Sequence, residues 1–303
     1  MPQSDLTRIP PQWPNRKFSQ SRRIENLDWH FQLSRHSNPK ALSILLIHGT
    51  GSSAHSWSEI FGSLAKNYTV IAVDLPGHGF TKGAKKPELH IDEIAKSLKK
   101  LLTELDIQIP NVMIGHSAGS NCTLALSLLL DKPPQAIIGL NPSFVSPPSL
   151  YNYFLGPLIN PIATSGFMAS ILASSIPYVG MIDKLLDSTN SILSPQQREP
   201  YNLLYKEHSH IYGSMNFMAA SNIPELLKNS SQLKTAFTFL VAAQDPWVPQ
   251  NALLPMIHQY FPDSTIKIEE GGHLFHEVNP QRTLAVIQEV LETIKSQHPI
   301  ENA

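Results

Sequence analysis

Residues 115–119, Gly-His-Ser-Ala-Gly, set Ser117 between two glycines. Such a spacing permits nucleophilic attack by a serine hydroxyl on a carbonyl, provided a strand precedes the serine and a helix follows it. "NVMI" reads as the strand and "SNCTLALSLLL" as the helix. A serine on so sharp a turn has a strained backbone, and bulky residues two positions away would collide. Gly115 and Gly119 are the small residues required, with His116 and Ala118 as the immediate neighbours. The competing reading is a serine that merely caps the helix that follows it.

A serine hydroxyl attacks poorly without a base, and the base needs an orienting group. "LVAAQDPWVP" places Asp245 just past a late strand, and "EEGGHLFHEVNP" places His273 in a glycine-led loop after the last strand. Ser117, Asp245 and His273 thus each fall at the carboxyl end of a different strand, where such sheets present their functional groups. His276 competes for the role of base, but the Gly271–Gly272 pair frees the loop of His273 to reach the serine. Asp263 competes for the role of acid, but it lies in a Phe-Pro-Asp-Ser turn. The developing oxyanion needs two preorganised donors. The Ala118 amide supplies one, and the "HGTG" loop (His48, Gly49, Thr50, Gly51) supplies the other through Thr50, unless it is an ordinary glycine turn. Asp74 in "DLPGHG" is expected to pin its own loop, and His55, His78, His116, His208 and His210 to be structural or surface groups rather than metal ligands. The chain has no HExxH, paired-cysteine or phosphate-cradling signature, so the expectation is no metal and no cofactor.

Apolar runs and helical patterns alternate along the chain: strands near 41–49, 68–74, 111–116, 136–143, 235–245 and 264–270, with helices between them. That order predicts an α/β fold with a mostly parallel central sheet flanked by helices, joined by right-handed crossovers. Residues 22–35 alternate well enough for one or two edge strands. The expected organisation is an N-terminal arm (1–21), a core in two pieces (22–143 and 233–303), and an inserted helical cap or lid (144–232), since a structureless loop of that length is implausible in a compact domain.

The cap has an unusual composition. From Pro133 to Ile182 there is no Asp, Glu, Lys, Arg or His, and eight prolines rule out one continuous helix. Phe167, Met168, Tyr178, Met181, Met215, Phe217 and Met218 are the candidates for lining an apolar substrate pocket, because methionine and aromatic side chains adapt to large flat ligands. They would equally serve to pack the cap onto the core. A third reading gives residues 162–176 a weak peripheral contact with a membrane surface.

Bulk composition excludes other classes. The net charge of -1, without blocks of like charge, offers no footprint for nucleic acid. The single cysteine, Cys122, allows no internal disulfide and suggests a cytoplasmic home. The polar, proline-rich N-terminus lacks the apolar core of a signal peptide. No apolar run is long enough for a transmembrane segment.

Taken together, these residues resemble the α/β-hydrolase superfamily from about residue 22 onward. Within it the chain is similar to the magnesium chelatase accessory proteins of bacteriochlorophyll biosynthesis, through "WPNR" with a following serine (13–16, 19), "HGTGSSAHSW" (48–57), "DLPGHGFT" (74–81), "GHSAG" (115–119), "GLNPS" (139–143) and "GGHLFHEVNP" (271–280). Ala242 departs from the glycine often found at that place in the family. The resemblance implies a Ser117–Asp245–His273 triad working through an acyl-enzyme, an apolar small-molecule substrate such as a tetrapyrrole ester, and contact with magnesium chelatase. A non-catalytic porphyrin carrier for the chelatase and a general carboxylesterase are the alternatives. Epoxide hydrolases of this fold use an aspartate nucleophile, which Ser117 disfavours.

Overall fold

The computed structural model describes residues 6–145, 180–218 and 223–297. Its eight strands are β1 (Ser19–Ile24), β2 (Leu27–Ser34), β3 (Ser43–Ile47), β4 (Thr69–Val73), β5 (Val112–His116), β6 (Ala136–Leu140), β7 (Ala236–Ala242) and β8 (Thr265–Glu269). They form one sheet in the order β1-β2-β4-β3-β5-β6-β7-β8. β1 and β2 are an antiparallel hairpin at one edge, and β2 runs antiparallel to β4. Every other pairing is parallel.

The continuous apolar runs of the inner strands exist because both faces of the sheet are covered. Successive side chains point to opposite faces. Leu45, Ile47, Ile71, Val73 and Met113 therefore join a core with α2 (Ile91–Glu104) and α3 (Ala118–Leu129). Ile44, Leu46, Val70, Val112 and Ile114 face the opposite core, with α1 (Ser58–Leu64) and the C-terminal helix, Pro280–Gln297. Burying each such Leu or Ile side chain is worth about 1.5–3 kcal/mol. The stripe of α2 is buried at Ile91, Ile94, Leu98, Leu101 and Leu102 as its spacing predicts. The pattern "HSWSEIFGSLAKN" divides into a 3-10 turn, Ala54–Trp57, and α1.

Between β6 and β7 the described residues hold α4 (Met181–Asp187), α5 (Pro195–Leu204), α6 (His208–Met218) and α7 (Ile223–Ser230). α4, α5 and α6 share a small apolar cluster of Ile182, Leu186, Leu193, Tyr201, Ile211 and Met215, joined by Leu274. Two parts of the stretch expected to be cap instead pack in the core. Phe144 meets Phe239 and Phe261, with ring centroids 5.6 and 5.8 Å away, and Leu226 and Leu227 of α7 close the layer over α3. At the other end, Ser19–Ser21, expected in the arm, already belong to β1, paired with Gln32, Phe31 and His30. The arm before it is anchored by Ile9 and Trp13 against Leu204 of α5. After β7 come α8 (Gln250–Tyr260), β8, α9 (Phe275–Val278) and α10 (Pro280–Gln297). Among the described residues no helix is long and apolar enough to cross a membrane.

Candidate active site

Ser117 follows directly on β5 and opens α3 with φ 51° and ψ −120°, a conformation that is costly for a residue with a side chain. The turn is held from outside. The Ser117 amide donates to the Leu140 carbonyl (2.9 Å), its carbonyl accepts from the Ser143 amide (3.2 Å), and the Ser120 hydroxyl donates to the Gly115 carbonyl (2.7 Å). The two glycines of the motif are needed because they face backbone. A Cβ on Gly115 would lie 2.5 Å from the Gly119 carbonyl carbon, and one on Gly119 would press into the carbonyls of Ile47 and His48. The Ser117 side chain makes no capping bond to α3, so the capping reading does not describe what it does.

Its hydroxyl instead lies 3.1 Å from His273 Nε2, while His273 Nδ1 lies 2.7 Å from Asp245 Oδ2. Asp245 Oδ1 accepts from the amides of Trp247 (2.8 Å) and Val248 (3.0 Å), leaving Oδ2 to the imidazole. With Nδ1 donating to the carboxylate, Nε2 is the acceptor for the serine proton. All three side chains are buried. The arrangement can move a proton from Ser117 Oγ to His273 while Asp245 stabilises the imidazolium that forms.

The loop 48–51 abuts this turn. A Cβ on Gly49 would sit 2.9 Å from His116 Nδ1 and 3.0 Å from Ser117 Cβ, so the glycine is what allows the loop to close on the serine. Gly51 has φ +73°, and a side chain there would strike the Tyr205 hydroxyl. Thr50, which follows Gly49, and Ala118, which follows Ser117, are both half-buried. His48 donates through Nδ1 to the Gly49 carbonyl (2.7 Å) and accepts the Leu75 amide on Nε2 (3.0 Å).

The competing residues stand apart. His276 is buried against Trp57 and His116 (ring centroids 5.0 and 4.2 Å) with neither ring nitrogen hydrogen-bonded, and burial pushes its pKa down to about 3. Asp263 is exposed. Asp74 pins its loop: it accepts from the amides of Ala54 (2.8 Å) and Phe80 (2.8 Å) and from His30 Nδ1 (2.7 Å). Among the described residues no cluster of three or more His, Cys, Asp or Glu is arranged to hold a metal ion.

Of the apolar candidates in the insert, Met215 is buried in the α4–α6 cluster and Phe217 in the main core beside His78 (5.6 Å). Both therefore do packing work, whereas Met181 is exposed at the start of α4. Phe167, Met168 and Tyr178 lie outside the described residues, as do the side chain of Met218 and the stretch 162–176.

Several residues that hold the site escape a reading of the sequence. Asn141, at φ 43° just after β6, accepts the Ala242 amide (2.6 Å) and donates to the His273 carbonyl (3.1 Å), which also accepts from His116 Nε2 (2.9 Å). Thr189 and Ser191, after α4, take the amides of His273 (2.8 Å) and Leu274 (2.9 Å). Trp247 stacks on His273 at 5.3 Å and donates its indole N–H to the Ser188 carbonyl (3.1 Å). A faint signal exists for Asn141 alone, because asparagine tolerates positive φ. The others carry no periodic pattern.

Residues 43–160 match the family model of the alpha/beta hydrolase fold. The magnesium-chelatase 30 kDa subunit of Rhodobacter capsulatus is 27% identical over 288 residues, covering 95% of this chain and 99% of that protein. Among solved structures, the lipase candidate lip1 of Acinetobacter baumannii superposes with a TM-score of 0.76 at 19% identity, over 94% of this chain and 95% of its own. The Cif epoxide hydrolase of Acinetobacter nosocomialis superposes with a TM-score of 0.73 at 17% identity, over 90% and 88%. The sheet order, the serine turn after β5 and the family model converge: the chain has the alpha/beta hydrolase fold.

Proposed function

We propose that this protein is a serine hydrolase that cleaves a carboxylic ester through an acyl-enzyme. Ser117 attacks the carbonyl carbon, His273 takes its proton and returns it to the leaving alcohol, and Asp245 keeps the imidazole in the required tautomer. The amides of Thr50 and Ala118 hold the oxyanion, and water activated by His273 then releases the acid. The observation that carries the reading is the buried relay from Ser117 through His273 to Asp245, at 3.1 and 2.7 Å, on a turn with φ 51°. A fluorophosphonate probe tests it. Covalent labelling at Ser117, lost in Ser117→Ala together with ester turnover, is expected. Folded protein that is not labelled would refute it.

The likeness to the magnesium-chelatase subunit over nearly the whole of both chains supports a tetrapyrrole carboxylate ester as the substrate and contact with a chelatase as the setting. The same likeness favours a second reading, in which the protein binds a porphyrin and delivers it without chemistry. Comparison of pigment intermediates in cells carrying the parent gene or Ser117→Ala separates the two. An accumulating ester supports catalysis, and full complementation by the variant supports the carrier. Turnover of short acyl esters with none of pigment esters would instead indicate a general carboxylesterase.

A further inference from the structure

His210 lies on α6, in the insert, yet both of its ring nitrogens are spent on the core. Nδ1 accepts the Gly79 amide (3.0 Å) and Nε2 donates to the Gly51 carbonyl (3.2 Å). Since the amide can only donate, the ring is neutral with its proton on Nε2. The helix reaches this position because Gly213, one turn on, docks directly against the backbone of Gly77, where any side chain would collide. His210 is wholly buried among Tyr205 (ring centroids 5.0 Å) and His78 (5.7 Å).

What the Gly51 carbonyl is attached to gives this bond its consequence. In a trans peptide the C=O and N–H point in opposite directions, and the described chain has no cis bond. Fixing the Gly51 carbonyl on His210 therefore turns the Ser52 N–H the other way, onto the Gly49 carbonyl (3.3 Å). The Gly49 carbonyl, also held by His48 Nδ1 (2.7 Å), belongs to the peptide whose N–H is that of Thr50. Fixing it points the Thr50 N–H away from both donors. The Gly51–Ser52 and Gly49–Thr50 peptide planes, joined by the Ser52 to Gly49 hydrogen bond, thus relay the orientation from His210 to Thr50, and each bond polarises the next.

We infer that His210 is a positioning residue for the oxyanion donor: through Gly51, Ser52 and Gly49 it aims the Thr50 amide, so that docking of the inserted helix α6 completes the catalytic loop. The inference rests on the serine-hydrolase reading above. Burial lowers the pKa of His210 well below its ordinary value, with His78 and Lys82 adding to the effect, and burial lowers that of His48 as well, in keeping with neutral rings.

Two variants separate aiming from mere packing. His210→Gln places an amide nitrogen where Nε2 was and can still donate to Gly51, whereas His210→Asn places its oxygen where Nδ1 was and can serve only Gly79. Steady-state hydrolysis of p-nitrophenyl butyrate, labelling by a fluorophosphonate, and thermal unfolding are measured for each. Outright loss of an oxyanion donor lowers kcat by about 10²–10³, so a misaimed one should lower it by at least about tenfold. The Asn variant is expected to show that fall with KM within about twofold, and the Gln variant to stay within about fivefold of the parent in kcat, because the oxyanion is absent from the bound ground-state ester. Should the Asn variant fail to fold, the Gln variant decides: kcat within that limit supports the inference and a larger fall overturns it. A reactive parent whose Asn variant keeps full kcat overturns this inference alone. A parent that neither labels nor turns over ester removes the hydrolase reading, and this inference with it.

Discussion

Acid should unfold this protein at a pH that leaves most globular domains intact. Burial holds His55, His78 and His276 neutral, with pKa values of about 3 against an ordinary 6.5. His48, His116 and His210 are pushed down by burial as well. When a histidine's pKa falls on folding, the unfolded chain binds the extra proton, so stability drops as pH falls from 6.5 toward 3. At pH 5 each of the first three costs about 2 kcal/mol, some 6 kcal/mol together. Glu277 works in the opposite sense: burial raises its pKa to about 8, against the hydrogen bond from Tyr201, and its protonation returns about 2–3 kcal/mol between pH 7 and 5. The net loss is about 3 kcal/mol at pH 5 and about 6 at pH 4 before the other three histidines are counted, against a total stability of about 5–15 kcal/mol. Near-ultraviolet circular dichroism and tryptophan fluorescence should therefore show a cooperative transition with its midpoint between about pH 5.5 and 4. The sharper measurement is a double difference on His276, whose ring nitrogens are both without a hydrogen-bond partner. His276→Phe should gain about 2 kcal/mol relative to the parent when the comparison moves from pH 8 to pH 5, whatever its packing costs at either pH. A native tertiary signal at pH 4, or a His276→Phe effect equal at both pH values, would refute the reasoning.

Glu277→Gln keeps an acceptor for Tyr201 and removes a buried carboxyl whose ionisation opposes folding as pH rises. In urea titrations the variant should gain about 3 kcal/mol over the parent between pH 5 and pH 8. Asn141→Ala leaves the buried Ala242 amide without its acceptor and puts alanine at φ 43°, so a loss of about 2–4 kcal/mol in urea unfolding is expected. It should also slow fluorophosphonate labelling, because the His273 carbonyl keeps only His116. Gly119→Ala would drive a Cβ into the β3 carbonyls, and soluble protein from it should not label at Ser117. The control is Gly62→Ala in α1, where a Cβ meets nothing within 4 Å and stability should rise by about 0.5–1 kcal/mol.

By itself the sequence determined whatever depends on neighbours along the chain. The apolar runs of β3 to β7 and the stripe of α2 are legible because burial on a sheet or a helix imposes a period. Gly115 and Gly119 were legible because the sharp turn they serve is built from five consecutive residues. Asp245 and His273 could be read as strand-end groups, each in a loop with its own turn residues. The arm and the insert were legible only as stretches, and their edges moved. Ser19 pairs with Gln32, and Phe144 and α7 fill the core, because packing against remote partners assigns those residues. Tertiary structure alone decided who holds the site: Asn141 and His116 on the His273 carbonyl, Thr189 and Ser191 on the amides of its loop, His210 on the Gly51 carbonyl of the 48–51 loop. A lone polar residue has no period, and one hydrogen bond costs or gains about 1 kcal/mol whichever segment supplies it. Its partner is chosen by which backbone the folded chain brings within 3 Å, so these contacts, unlike the serine turn, could be read only once the elements were packed.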